Sequence, residues 1–203
     1  MAIKVVTDST SDLDSAIAED LGITIVPLNV HFGETVFKDG IDLNTDQFFD
    51  KLINGNVFPS TSQPSLGEFV DVYKEISQPG DVIISVHVSS KLSGTINSAQ
   101  QAANTLSGTV DVRIVDTQQV SMTVGLSAVG AAQAAQEGKS AEECIAIAES
   151  VAKRSNFFAL FDTLEYLEKG GRIGKARSLI GGLLKIRPIL RVEDGEIGQF
   201  SKA

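Results

Sequence analysis

The segment Val82–Val88 is almost entirely apolar and β-branched, reading Val-Ile-Ile-Ser-Val-His-Val. A continuous apolar run suits a strand that is covered on both faces, as in a parallel sheet. We therefore predict a central strand here. Segments with helix signals separate it from similar short runs, and this alternation predicts an α/β fold. Those runs lie at Ile3–Val6, Ile23–Val30, Val110–Val115 and Phe157–Phe161.

Several predicted helices begin with a capping box, in which Ser or Asn is followed three residues later by Glu or Gln. The pairs are Asn44 with Gln47, Ser65 with Glu68, and Ser140 with Glu143. After Ser65, apolar residues keep the helical spacing of about 3.6 residues and predict an amphipathic helix. Further helices are predicted over 96–106, 124–136 and 141–153. Pro27 indicates that the strand predicted over 23–30 is an edge strand or a bulged one.

The residue composition of the sequence changes after Ser155, and we predict a domain boundary there. Residues 1–155 are expected to form a doubly wound parallel-sheet domain with hydroxyl-rich ligand loops. Residues 156–203 are expected to start a second, two-layer α/β domain, which ends in a hairpin about Glu193-Asp194-Gly195. Two strands and two short helices are little for an independent core, so we expect this second domain to be incomplete.

The net charge of −9 is unevenly distributed, because residues 169–191 contain 7 of the 17 basic residues and no acidic one. The acidic remainder repels nucleic acid, so no nucleic-acid partner is expected. The basic stretch is expected to contact an anionic membrane surface or an acidic partner, unless it is only a solvated basic face.

Membrane and secretion signals are also missing from the sequence. No apolar run approaches the length of a bilayer-spanning helix. The first residues are strand-like and do not resemble a signal peptide, and the single Cys144 has nothing to pair with. These features predict a cytoplasmic protein.

Three clusters of Ser and Thr follow apolar stretches and lead into helices, at 7–11, 60–65 and 89–95. In a doubly wound sheet such turns gather at the carboxyl edge of the strands, where ligands usually bind. Helix N-termini there offer free N–H groups, so the expected guest is an anion such as a carboxylate or phosphate. Gly94 would let the backbone approach that guest closely. Alternatively, the hydroxyls only cap helices and form turns.

Catalytic patterns are sparse. Residues 170–175 lack the first Gly and the final Ser/Thr that a P-loop requires, and two His with one Cys offer no zinc site. We expect neither a metal nor a cofactor, although three carboxylates near strand ends, Asp8, Asp81 and Asp116, offer oxygen ligands. One enzyme hypothesis stays open, a stand-alone serine hydrolase or phosphotransferase with Ser93 as nucleophile and His87 as base. The alternative is a buried, structural His87.

Five segments, in this order, resemble the motifs of the DegV family, and the resemblance covers the whole chain. They are Thr7–Leu13, Pro59–Ser65, Ser89–Ala99, Gly170–Lys175 and Arg187–Leu190. The resemblance implies a bacterial fatty-acid-binding protein, with two α/β domains that enclose one acyl chain. It also implies a lipid-binding carrier that is not itself an enzyme. Such a carrier presents its long-chain fatty acid to a dihydroxyacetone-kinase-like fatty acid kinase subunit, which makes acyl phosphate.

The resemblance also implies the binding residues. Hydroxyls of Thr61, Ser62 and Ser93 hold the carboxylate, with Gly94 and Thr95 in the same loop. Arg172 either joins this carboxylate network or belongs to the basic face. Apolar residues over 173–184 and on the helix from Leu66 are candidate walls for the acyl chain, although an ordinary core would use the same side chains. Because members of the family usually continue beyond the hairpin and supply a further histidine, we expect the chain to lack the family's C-terminal part.

Overall fold

The computed structural model describes residues 2–180 and 187–202. Predicted wall residues within 181–186 therefore lie outside the described residues. The strands are β1 (Ile3–Asp8), β2 (Ile23–Val26), β3 (Asn29–Phe32), β4 (Thr35–Lys38), β5 (Ser60–Ser62), β6 (Val82–His87), β7 (Asp111–Asp116), β8 (Phe158–Leu160), β9 (Pro188–Glu193) and β10 (Glu196–Lys202). The helices are α1 (Ser15–Leu21), α2 (Thr45–Asn54), α3 (Leu66–Ile76), α4 (Thr95–Thr105), α5 (Met122–Gln136), α6 (Ala141–Arg154) and α7 (Glu165–Lys169), with 3-10 turns at Ser9–Ser11 and Gly174–Leu179.

The main sheet is parallel, with the strand order β2-β1-β6-β7. The predicted central strand is confirmed, since β6 lies between β1 and β7 and every one of its residues is buried. Crossover helices cover both faces of the sheet, which is the doubly wound arrangement that the sequence predicts. All three predicted capping boxes are formed at the starts of α2, α3 and α6.

Each face of the main sheet has its own core. On one face, α5 and α6 bring small buried side chains close to the strands, among them Ala128, Cys144 and Ala148. On the other face, α3 and α4 pack through Phe69, Tyr73 and several alanines. Full burial of one large apolar side chain contributes about 1.5–3 kcal/mol. The two cores together hold the sheet rigid, so that the loops at its edge have fixed starting points.

A second, antiparallel sheet with the order β4-β3-β5 is not anticipated by the sequence patterns. The single strand predicted over 23–30 is wrong, because β2 ends at Val26 and β3 begins at Asn29 in the other sheet. Pro27 lies at this break, and its fixed φ and missing N–H suit the point where the chain leaves the parallel sheet. The hydroxyl cluster at 60–65 was expected in a turn at the carboxyl edge, but Ser60–Ser62 forms strand β5.

The third sheet has the order β10-β9-β8, and the predicted hairpin about Asp194 and Gly195 is confirmed. Two hydrogen bonds join its turn to the loop that follows β6. The Ser89 hydroxyl donates to the Gly195 carbonyl at 2.8 Å, and Lys91 Nζ donates to the Asp194 carbonyl at 2.8 Å. Gly195 has a φ of 79°, and a Cβ there would lie 2.6 Å from the Ser89 hydroxyl, so the contact requires glycine. The boundary predicted near residue 155 falls between α6 and β8 and stays a prediction.

A chain of buried hydrogen bonds joins β1, β6 and α3 near the carboxyl edge of the main sheet. His87 Nδ1 lies 2.8 Å from Asp8 Oδ2, and His87 Nε2 lies 2.7 Å from the Ser85 hydroxyl. Ser85 in turn lies 2.8 Å from the Tyr73 hydroxyl. All four side chains are fully buried. The chain of bonds therefore fixes the end of β6, from which the next loop begins.

The same contacts shift the pKa values of two members of this network. Burial raises the pKa of Asp8, but the hydrogen bond and attraction to the His87 ring outweigh it, and the pKa lies below its ordinary value. Burial raises the pKa of Tyr73 well above its ordinary range. Asp8 is therefore a carboxylate in the folded protein at neutral pH, and Tyr73 is a neutral hydroxyl.

Asp8→Asn is expected to lower the free energy of unfolding at neutral pH by about 3 kcal/mol, because it leaves His87 buried without its charged partner. Since folding lowers the pKa of Asp8, its stabilisation is full above about pH 4 and is lost as the pH falls through the folded-state pKa. Urea unfolding from neutral to acid pH measures both effects. The control is Asp111→Asn, at an exposed carboxylate, with an expected change below about 0.5 kcal/mol. Equal losses in both variants would contradict this role of Asp8.

Candidate functional site

The loop from Ser89 to Gly94 connects the carboxyl end of β6 with α4. Its first two hydroxyls, those of Ser89 and Ser90, donate hydrogen bonds to other groups of the protein. Ser89 binds the Gly195 carbonyl, and the Ser90 hydroxyl donates to Asp116 Oδ2 at 2.6 Å. The Ser93 hydroxyl differs, because its partners lie only in the first turn of α4, where it is 2.8 Å from Thr95 Oγ1 and accepts a 3.3 Å hydrogen bond from the Thr95 N–H.

Helix α4 begins at this loop without a side-chain cap, since Gly94 is its N-cap residue and makes no such hydrogen bond. The first N–H groups of a helix have no partner within the helix, and the helix dipole places partial positive charge there. The Ser93 hydroxyl adds a further donor when the buried Thr95 hydroxyl donates to it. Together these groups form a neutral, donor-rich surface that can hold an anion.

Strand β5 brings the second hydroxyl cluster to the same place. Successive side chains of a strand point to opposite faces, so Thr61 points away from the side on which Ser62 lies. The Ser62 hydroxyl is 2.9 Å from Nε2 of His31 in the neighbouring strand β3. Thr61 and Ser62, paired in the sequence prediction, are thus placed on different sides of β5.

The Gln63 side chain lies beside the loop that follows β6. Gln63 follows the last residue of β5 and precedes Pro64, which disfavours helical backbone at Gln63. A Cβ added to Gly94 would lie 3.0 Å from both Cδ and Nε2 of Gln63. The Gln63 amide therefore lies against Gly94, where the absence of a side chain leaves room for it.

Gln63 and His31 are the residues of this site that the sequence reasoning missed. Gln63 lies within the Thr-Ser-Gln-Pro-Ser segment, but only the neighbouring hydroxyls were predicted to bind the anion. His31 had no local signal, because its partner Ser62 is 31 residues away in the chain.

Arg172 lies on the other flank of the loop. Its Nε donates to the Leu92 carbonyl at 3.1 Å, and its Nη1 donates to the Gly170 carbonyl at 2.6 Å. The guanidinium thus binds the carbonyl of Leu92, the residue before Ser93. Its charge adds positive potential beside the Ser93 hydroxyl.

The structure does not bring Ser93 and His87 together as a catalytic pair. Both ring nitrogens of His87 are engaged, one by Asp8 and the other by Ser85, and the residue is fully buried. A general base must lie within hydrogen-bond reach of the proton that it removes. The hypothesis of a serine hydrolase or phosphotransferase built on these two residues is therefore wrong for this structure.

The three carboxylates near strand ends are used within the fold. Asp8 binds His87, Asp81 accepts from the N–H groups of Ala2 and Gln78, and Asp116 accepts from Ser90. In the part of the chain that the structure describes, no three His, Cys, Asp or Glu side chains are grouped so that they could hold a metal ion. Over the same residues, no helix has both the length and the apolar character needed to cross a bilayer.

The basic stretch 169–191 is partly neutralised by its neighbours. Four of its described cations pair with carboxylates, and two of these pairs join different segments of the chain. The pairs are Lys169 with Glu165, Lys175 with Glu196, Arg187 with Asp162, and Arg191 with Glu193. Exposed pairs of this kind contribute little to stability, but they reduce the local excess of positive charge.

An open groove lies at the opposite, amino edge of the main sheet. Loops at Gly22, Gly80, Gly108 and Gly138 surround it. It contains none of the residues of the three hydroxyl clusters that were predicted to bind an anion. The predicted anion-binding residues thus lie outside this groove.

Comparisons with known proteins agree with one another. A model of the DegV family, described as uncharacterised, matches residues 2–203. A DegV domain-containing protein of Deinococcus radiodurans is 40% identical over 197 residues, which are 97% of this chain and 69% of that protein. A solved DegV family structure from Thermus thermophilus, described for its fatty acid binding, is 39% identical with a TM-score of 0.91, covering 100% of this chain and 72% of that one. A stearic acid-binding protein from Eubacterium ventriosum is 30% identical with a TM-score of 0.88, covering 100% and 71%.

Proposed function

The chain belongs to the DegV family, and from this membership we propose that it is a lipid-binding carrier that holds one long-chain fatty acid. The observation that carries the proposal is the donor-rich loop at the uncapped start of α4, where the Gln63 amide, just beyond β5, lies against Gly94. The fatty acid binding described for the relatives from Thermus thermophilus and Eubacterium ventriosum supports it.

The carboxylate would lie between β5 and the first turn of α4. The hydroxyls of Thr61 and Ser93 would donate to it, with the buried Thr95 hydroxyl donating in turn to Ser93, and Gly94 would let the backbone N–H groups approach. Hydrogen bonds to a charged partner are stronger than those between neutral groups. Arg172 would add positive potential from the flank. Ser62 would act indirectly, because its bond to His31 holds β5 in place.

The acyl chain needs an apolar shelter, and exposed apolar side chains stand on both sides of the site. Phe58 and Leu66 flank the Thr61 segment and are 39% and 38% exposed, while Tyr166 of α7 is 48% exposed. The rings of Phe58 and Tyr166 stack with centroids 5.5 Å apart, so they bridge the two sides. Burial of the chain would contribute about 0.8 kcal/mol per methylene, enough for tight binding without a covalent bond.

Thr61→Ala combined with Ser93→Ala is expected to weaken palmitate binding by about 1–3 kcal/mol, because the charged head group loses two hydroxyl donors. Calorimetric titration of delipidated protein measures the change. Ser90→Ala is the matched control, since that hydroxyl is bound to Asp116, and its affinity should match the wild type. Wild-type protein that binds no palmitate would overturn the proposed function, and unchanged affinity in the double variant would move the head group elsewhere.

We also propose that the carrier works in the cytosol and presents its carboxylate to a dihydroxyacetone-kinase-like fatty acid kinase subunit. That subunit would transfer the γ-phosphoryl group of ATP to a carboxylate oxygen, giving acyl phosphate and ADP. The burial of His87, and the neutral hydroxyls and amides of the site, support a division in which this chain binds and its partner catalyses.

Acyl phosphate is expected only when the loaded chain, the kinase subunit, ATP and Mg²⁺ are all present. Trapping with hydroxylamine, which converts acyl phosphate to a hydroxamate, measures the product. Ser93→Ala should lower the yield in proportion to its lower occupancy with fatty acid. Hydroxamate formed by this chain and ATP without the kinase would contradict the carrier role.

For the basic stretch we propose transient contact with an anionic membrane surface during lipid exchange. Because four of its cations already have carboxylate partners, we expect this contact to be weak and sensitive to salt. Co-sedimentation with phosphatidylglycerol vesicles at low salt should exceed that at physiological salt and that with phosphatidylcholine vesicles. Equal binding to both kinds of vesicle would refute an electrostatic contact.

A further inference from the structure

We infer that Leu92 is a positioning residue through which the third sheet controls the ligand affinity of the loop that carries Ser93. The inference rests on the proposed function and deepens it, since it names the part of the fold that regulates the affinity for the fatty acid. The third-sheet unit is defined here as residues 158–180 and 188–202, which contain β8, β9, β10, α7 and the second 3-10 turn.

Leu92 contacts the third-sheet unit through its side chain and through its backbone. The side chain is half-buried and packs against the core of the unit, although Leu92 itself belongs to the loop after β6. The Leu92 carbonyl accepts a 3.1 Å hydrogen bond from Nε of Arg172. Removal of apolar surface from water favours this packing. The buried residues of the core are Ile173, Ala176, Leu190, Val192 and Ile197.

The residues just before Leu92 are joined to the hairpin turn of the same unit. The buried Ser89 hydroxyl donates to the Gly195 carbonyl, and Lys91 Nζ donates to the Asp194 carbonyl, both at 2.8 Å. The same Ser89 hydroxyl accepts a 3.2 Å hydrogen bond from the Lys91 N–H. One oxygen atom therefore connects the hairpin turn with the backbone of the loop.

The loop is compact enough to transmit a displacement to Ser93. The N–H groups of Leu92 and Ser93 both donate to the Ser89 carbonyl, at 2.9 and 3.1 Å. Ser93 follows Leu92 directly, so a shift of the Leu92 backbone moves the Ser93 hydroxyl. Hydrogen bonds weaken steeply when their distance or angle departs from the optimum. The attachment of the third-sheet unit to Leu92 and Ser89 therefore sets how well Ser93 can donate to a head group.

The competing explanation is that Leu92 only stabilises the fold. A purely stabilising contact changes the fraction of molecules that are folded, but it leaves the affinity of the folded molecules unchanged. A positioning contact changes that affinity. Because coupling between two sites is reciprocal, ligand binding must then also strengthen the attachment of the hairpin turn to the loop.

The first test compares Leu92→Ala with Leu164→Ala in calorimetric titrations of delipidated protein with palmitate. Leu164 is the matched control, because it is a half-buried leucine that packs against the same core from within the third-sheet unit. Both variants are expected to lower the thermal midpoint by about 4–10 °C. At a temperature where all proteins are folded, only Leu92→Ala should weaken palmitate binding, by about tenfold, and Leu92→Met should restore it to within about twofold of wild type.

Ser89→Ala tests the same attachment without emptying the core. It removes the hydrogen bond to the Gly195 carbonyl, and palmitate affinity is expected to fall about three- to tenfold. Ser90→Ala is its control in the same loop, since the Ser90 hydroxyl donates to Asp116 and not to the hairpin. This pair of variants decides the question even if Leu92→Ala does not fold.

Hydrogen exchange measured by mass spectrometry tests the reciprocal effect. In wild type, saturating palmitate is expected to slow amide exchange in the β9–β10 hairpin at least about threefold, although the hairpin supplies none of the proposed head-group donors. In Leu92→Ala, saturated with palmitate at a higher concentration, this slowing should be lost.

The outcomes separate the inference from the proposed function. If wild type binds no palmitate, the proposed function fails. If wild type binds palmitate, and Leu92→Ala and Ser89→Ala bind it as tightly, only the inference about Leu92 is overturned. An equal loss of affinity in Leu164→Ala, or palmitate that leaves hairpin exchange in wild type unchanged, would overturn it as well.

Discussion

The buried hydrogen bond between Asp8 and His87 is the contact on which the rest of the site depends. It ties the end of β1 to the end of β6, and Ser85 and Tyr73 extend it to α3. A buried charged group is tolerated only when its partners satisfy it, so each member holds the others in one geometry. The loop that carries Ser93 begins one residue beyond Val88, which itself donates to Asp8. The starting point of that loop is therefore rigid.

Three sheets meet at this rigid loop, each through a different contact. The main sheet supplies the loop and α4. The hairpin of the third sheet docks its turn on Ser89 and Lys91, and the small sheet places Gln63 on Gly94. Arg172 adds a bond to the Leu92 carbonyl. The proposed head-group site thus belongs to no single sheet, because it combines elements that are distant in the chain.

The structure also shows why residue types alone mislead about chemistry. Asp8, His87 and Ser85 have the composition of a catalytic triad, yet all are inaccessible, and the histidine stacks edge-on against Phe69. Ser93, which is accessible to the loop surface, has only Thr95 as its side-chain partner. Burial keeps the imidazole away from the loop, and the groups at the edge are hydroxyl, amide and backbone donors beside the Arg172 guanidinium. Such donors suit an anion.

The sequence by itself determined the features that depend on a few neighbouring residues. The apolar run at Val82–Val88 predicted the central parallel strand, the capping boxes predicted three helix starts, and Asp194-Gly195 predicted the hairpin, all confirmed. Only the tertiary structure decided that the chain changes sheets at Pro27, that Thr61 and Ser62 face opposite sides, and that Gln63 reaches Gly94. Which way a side chain on a three-residue strand points is set by pairing with a strand some thirty residues away. The residue pattern within the strand cannot predict this direction, because the hydrogen bonds that decide it are long-range.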